Sequence, residues 1–120
     1  VNVVPGSTDV SLAVRAMQAN GAALEGKIHS DFTLWYRRDG AKVSVTPAAL
    51  AALTTPHADG GVKEIDDGWY RVDFPDAAFV AGVDRVVIGG DVAGGVLLTV
   101  PIDLNAAVNI TTESTIITSR

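Results

Sequence analysis

Asp66-Asp67-Gly68-Trp69-Tyr70-Arg71-Val72-Asp73-Phe74-Pro75 decides how the rest of the chain is read. Asp-Asp-Gly predicts a turn, and the residues after it predict a strand that a proline ends. Strand side chains alternate between two faces, so Tyr70, Val72 and Phe74 fall on one side and Trp69, Arg71 and Asp73 on the other. One face is apolar and the other is amphipathic, as expected for a strand on the flank of a core.

The spacing Asp66-x-Gly68-x-Tyr70-x-Val72 is the pattern of a tyrosine corner in an immunoglobulin-type sandwich, with Val72 where an antibody domain has cysteine. It predicts that Tyr70 buries its ring, returns its hydroxyl to the backbone just upstream, and staples a crossover between two sheets. Working outward, Asp31 to Gly40 is the second strong segment. Phe32, Leu34 and Tyr36 share one face, and Thr33, Trp35 and Arg37 share the other. Asp39-Gly40 closes it as a turn, and Lys42 to Thr46 returns as the partner strand of a hairpin. A Trp-Tyr-Arg strand ahead of a Gly-x-Tyr strand is also the order of strands C and F in an immunoglobulin-like domain.

The remaining segments are weaker. Asp9 to Met17 alternates, with Val10, Leu12, Val14 and Ala16 on one side, and predicts the first strand. Asn20-Gly21 is a turn signal, and Ala22 to Gly26 predicts a short return strand. Thr46-Pro47 followed by Ala48 to Leu53 predicts a short helix, with Thr46 as N-cap and Pro47 at the first helical position. Val62 to Ile65 predicts a strand. Pro75 to Gly82 predicts one helical turn in which Phe79 plugs the core. Asp84 to Ile88 predicts a strand, Gly89 to Gly95 a glycine-rich loop, and Val96 to Leu104 the last strand, with Pro101 marking an edge or bulge. The expected architecture is all-β: an immunoglobulin-like antiparallel β-sandwich of about seven strands with one or two short helical turns. Residues 1–8 read as an N-terminal arm, 9–104 as the sandwich, and 105–120, rich in Thr, Ser, Asn and Ala, as an extended tail.

Bulk properties narrow the function. The chain has 120 residues, 48% of them hydrophobic, which suits one domain with a core of its own. It has no cysteine, so disulfides and thiolate metal sites are excluded. The formal net charge of -5 disfavours nucleic-acid binding, which needs clustered Lys and Arg. No apolar run approaches the length of a membrane span, and no signal peptide is visible. The chain opens at Val1, which leaves open both processing and membership of a longer protein.

Candidate chemistry is sparse. His29 and His57 lie near no nucleophile-elbow serine. His57-Ala58-Asp59 with Glu64, Asp66 and Asp67 offers oxygen ligands for calcium, but the EF-hand spacing is absent and a solvated turn accounts for the acids. An Asp-Asp pair also suits a glycosidase, yet beside glycine aspartate is favoured for backbone reasons. Gly89-Gly90 and Gly94-Gly95 lack the Lys-Ser/Thr and the helix that a phosphate loop needs. No enzyme activity, cofactor or metal is expected. Trp69, Arg71 and Arg37 are the candidate contacts for a ligand or partner. An exposed indole suits a sugar or protein contact, while packing against the Pro75 turn or a neighbouring subunit is the alternative for Trp69. Arg37 with Trp35 suits stacking, against a reading in which the aromatics are core and the arginines cover a sheet face. Tyr70, Trp35, Phe74 and Phe79 are expected to be structural. Asn109-Ile110-Thr111 matches a glycosylation sequon.

From about Thr8 to Leu104 the chain resembles a family of modules in structural proteins of tailed bacteriophages. The motifs are Asp31 to Gly40, Thr46 to Ala52, His57-Ala58-Asp59-Gly60-Gly61, Gly68 to Ala78, and Val86-Val87-Ile88-Gly89-Gly90, in that order. The resemblance implies an immunoglobulin-like sandwich in a virion, assembled in the cytoplasm of a bacterial host. It implies a fibre, a tail adaptor or collar part, or a head decoration, with other virion proteins and further copies of the chain as partners. No long repeat follows Leu104, which favours a small decoration or collar subunit over a long fibre. The alternative expectations are a carbohydrate-binding module that reads host glycans through Trp69 and Trp35, and an accessory domain of a larger enzyme.

Overall fold

The computed structural model describes residues 2–105. In chain order the strands are β1 (Asn2–Val3), β2 (Ser11–Met17), β3 (Phe32–Arg38), β4 (Ala41–Val45), β5 (Ala48–Ala49), β6 (Gly61–Asp66), β7 (Trp69–Asp73), β8 (Arg85–Val92), β9 (Val96–Leu97) and β10 (Val100–Leu104). Single 3-10 turns lie at His29–Asp31 and Asp76–Phe79. Two five-stranded sheets result, ordered β1-β10-β8-β3-β4 and β5-β6-β7-β2-β9. The fold is all-β, and seven of the described strands reach five residues or more.

Alternation builds the core between the sheets. Val14, Ala16, Tyr70 and Val72 are buried from one side, and Phe32, Leu34, Tyr36, Val86, Ile88 and Ile102 from the other. Phe32 and Tyr70 meet edge to face, with ring centroids 5.1 Å apart. Phe74 and Phe79 close the end of this core and are fully buried. Each such side chain contributes on the order of 2–3 kcal/mol of apolar burial. The Asp76–Phe79 turn is held from the opposite sheet, because the Arg38 guanidinium donates to the carbonyls of Ala78 (3.1 Å) and Val80 (2.8 Å).

Tyr70 buries its ring as its face predicts, but its hydroxyl does not return to the backbone just upstream. It donates to the Leu24 carbonyl (2.8 Å) and accepts from the Lys27 amide (3.2 Å). Asp66-Asp67-Gly68 is a hairpin turn within one sheet, so it makes no crossover. The crossover that Tyr70 staples is the one leaving β2 for β3 in the other sheet. The Trp35 and Tyr70 strands also lie in opposite sheets, whereas strands C and F would be neighbours in one sheet.

Other expectations need correction. Residues 47–53 form no helix. Ala48 and Ala49 instead pair in parallel with Gly61 and Val62. Leu50 is buried directly over Gly61, where a Cβ would stand 2.6 Å from its side chain. A seven-residue helix has little stability of its own, so sheet pairing and the burial of Leu50 prevail. Gly89 and Gly90 belong to β8, not to a loop. Gly89 leaves room for the Trp35 ring, and a Cβ on Gly90 would collide with the Thr33 carbonyl, so neither marks a break in the chain. Val96 to Leu104 is two strands in different sheets: β9 pairs with β2 and β10 with β8. Pro101 lies in β10 where β1, paired only with Asp103 and Leu104, does not reach. Ala22 to Gly26 makes a single bridge, Met17 to Ala23, and no strand.

The first eight residues do not stand apart as an arm. β1 joins the sheet beside β10, and the Gly6 amide donates to the Phe79 carbonyl (2.7 Å). Residues 106–120 of the expected tail, with the Asn109 sequon, lie outside the described residues.

Candidate functional site

The outer face of the β5-β6-β7-β2-β9 sheet carries the most unusual surface chemistry. Register sets Arg15 opposite Trp69 and Trp69 opposite Asp66. Directly paired residues of antiparallel strands project to the same side, so the three form a row across β2, β7 and β6. Trp69 is 40% exposed, and the Arg15 guanidinium carbon stands 5.6 Å from its ring centre. Ile65, Leu53 and Val96 are also exposed. Ile65 projects because β6 carries an irregularity between Glu64 and Asp66. Leu53, Ile65 and Ala13 line a shallow groove of about 310 Å³ beside this row.

Arg71, on the same strand as Trp69, also lines this groove, but its guanidinium is already engaged within the protein. Its guanidinium forms a bidentate pair with Asp73 (2.8 and 2.7 Å) and donates to the carbonyls of Leu53 and Thr55, both at 2.8 Å. Asp73 is fully buried and also accepts from the Ala58 amide at 3.1 Å. Burial pushes the Asp73 carboxyl up, but hydrogen bonds from Arg71, Ser11 and Ala58 with the Arg71 charge outweigh it, leaving it below its ordinary 3.8. The unit sews the 53–60 loop onto β7.

His57 completes that seam. Its side chain is 7% exposed, and Nε2 lies 3.1 Å from the Phe74 carbonyl, which can only accept, so Nε2 carries the proton. Nδ1 stands 3.6 Å from Asp9 and 3.8 Å from Asp59. The acids from Asp59 to Asp67 do not converge. Glu64 accepts from the Gly26 amide, and Asp66 and Asp67 form the β6–β7 turn. Among the described residues no three such groups form a metal-binding cluster.

On the other sheet Trp35 lies on the outer face, half-buried against Gly89, with Arg37 4.8 Å above its ring. It is therefore not a core residue as Tyr36 is. Trp35 and Trp69 sit on opposite sides of the molecule and cannot form one platform. A cleft of about 400 Å³ between the 26–29 loop and β5–β6 brings Lys27, His29, Lys63 and Glu64 together. These residues share no local motif. Arg15 was likewise not singled out by sequence, and its alternation opposite Trp69 is visible only once β2 and β7 are known to pair.

Comparison with family models, curated proteins and solved structures finds no match to this chain.

Proposed function

We propose that this chain is an immunoglobulin-like module with a non-enzymatic structural role in a bacteriophage virion, as a decoration, collar or fibre-attachment subunit docked on a larger assembly. The observation that carries the docking role is the exposed row of Trp69 and its apolar neighbours Ile65, Leu53 and Val96 on one sheet face. Arg71, one of the three candidate contacts read from sequence, is spent on Asp73 and the loop it holds.

Strand order supports the immunoglobulin-like assignment. β6-β7-β2 facing β10-β8-β3-β4 follows D-E-B facing G-F-C-C′. Tyr70 then belongs to strand E, and β8 takes the place of strand F. The virion role rests on the motif resemblance between Thr8 and Leu104. Mass spectrometry of purified particles of the virus carrying the gene, with copy number, tests it. On the order of hundreds of copies would mean a head decoration or tail-tube coat; a few, in a multiple matching a rotational axis, would mean a collar or fibre part. Absence from the particle would overturn it.

The exposed Trp69 favours one second reading, a glycan-binding face with the indole as a stacking platform. A glycan array probed with the wild type and Trp69→Ala tests it; binding unchanged by the substitution, or no binding, sinks that reading.

A further inference from the structure

Asp66, Trp69 and Arg15 stand side by side across three paired strands. Neighbouring strands are about 4.8 Å apart, so Asp66 and Arg15 lie roughly 10 Å from one another on either side of Trp69. They do not reach each other. Among the described residues no carboxylate is ion-paired with Arg15, and its Nε is buried with no hydrogen-bond partner. The face thus carries an arginine without an acid, an exposed acid without a base, and an exposed indole between them.

We propose that this face binds a second copy of the chain, Trp69 against Trp69, about a two-fold axis that lies in the face and runs along β7. Rotation about that axis exchanges the two sides of Trp69. Arg15 of each copy then meets Asp66 of the other, and the apolar side chains at positions 53, 65 and 96 are covered around the pair. Charge complementarity selects both the occupant and the orientation. An in-plane axis across the strands would set Arg15 on Arg15, and a partner without a carboxylate would leave the arginine unpaired. A self-complementary patch of this kind is what an isologous interface requires. The inference rests on the docking role proposed for this face, but not on the virion assignment.

Sedimentation velocity over a concentration series tests it. The wild type is expected to show a monomer–dimer equilibrium. Arg15→Glu, Asp66→Arg and Trp69→Ala should each raise the dissociation constant about tenfold or more. The Arg15→Glu/Asp66→Arg double variant exchanges the charges and should restore the dimer. A circular dichroism spectrum of each variant identifies any that fails to fold, and the double variant then carries the test. A strictly monomeric wild type would overturn the inference, as would a double variant no stronger than the single ones. Dimers from a protein absent from virions would leave this inference standing and sink the virion assignment; a monomer found in virions would do the reverse. Glycan binding lost in Trp69→Ala, without a dimer, would give the face to sugar.

Discussion

Two buried polar groups do the most specific work at the residue scale. The Tyr70 hydroxyl serves as donor to Leu24 and acceptor from Lys27, so Tyr70→Phe leaves two backbone groups of one loop without their partner. Chemical denaturation should show a loss of about 1–2 kcal/mol. Burial raises the Tyr70 pKa above its ordinary 10.0; the Lys27 amide opposes this, and the carboxylates of Glu64, Glu25 and Asp31 add to it. The stability linked to this group is full below 10 and is lost as pH climbs through the raised folded value. Asp73 has the opposite sign. Its folded pKa lies below 3.8, so its contribution is full above that value and is lost as pH falls through the folded value. Asp73→Asn should cost on the order of 3 kcal/mol at neutral pH, because it leaves the Arg71 charge under the loop without its counterion. The gap between wild type and variant should narrow below about pH 4, as denaturation curves at neutral and acid pH would reveal. A gap that stayed constant would mean the carboxylate is not what holds the loop.

The two Asp-Gly hairpins show at the element scale how much local sequence carries. Asp39-Gly40 and Asp67-Gly68 both have positive φ at both residues, 51° and 77° in the first and 46° and 84° in the second. That geometry matches the right-handed twist of the flanking strands and explains why each pair is legible from sequence. The turns differ in their surroundings. A Cβ at residue 40 meets nothing within 4 Å, while one at residue 68 meets the Ala16 carbonyl at 2.7 Å. Gly40→Ala should therefore cost about 1 kcal/mol, the conformational term alone, and Gly68→Ala clearly more. Equal losses in thermal denaturation would show that the packing of the β6–β7 turn against β2 does not matter. Elements without such a signal are not legible in this way. The Ala-rich run from Pro47 has helical composition but too few residues to form a helix against competition from a sheet edge. Val96 to Leu104 is an apolar run whose period carries no mark of the step from one sheet to the other.

Both sheets contribute to a single core across the whole molecule, with Val14, Tyr70 and Val72 facing Leu34, Val86 and Ile88. Neither sheet buries its apolar face without the other. Unfolding should accordingly be one cooperative event, with far-ultraviolet circular dichroism and tryptophan fluorescence tracing the same transition in urea. Separate midpoints would show that the sheets unfold independently. Trp35 and Trp69 report from opposite outer faces, which makes the fluorescence a fair probe of both.

Alternation and turn chemistry determined, from sequence alone, the all-β class, the strands around Val14, Leu34 and Tyr70, the burial of Phe74 and Phe79, and both Asp-Gly hairpins. These depend on a period of two and on backbone preferences of single residues, both of which act locally. Tertiary structure alone decided how the strands beyond those two hairpins pair, and therefore that the Trp35 and Tyr70 strands lie in different sheets. It also decided that Tyr70 reaches a loop 46 residues upstream, that Arg71 is consumed by Asp73 and two carbonyls, and that Arg15 meets Trp69. Apart from the Arg71–Asp73 pair, which lies within one strand, these join residues distant in the chain, and no periodicity within a strand encodes the identity of its neighbour.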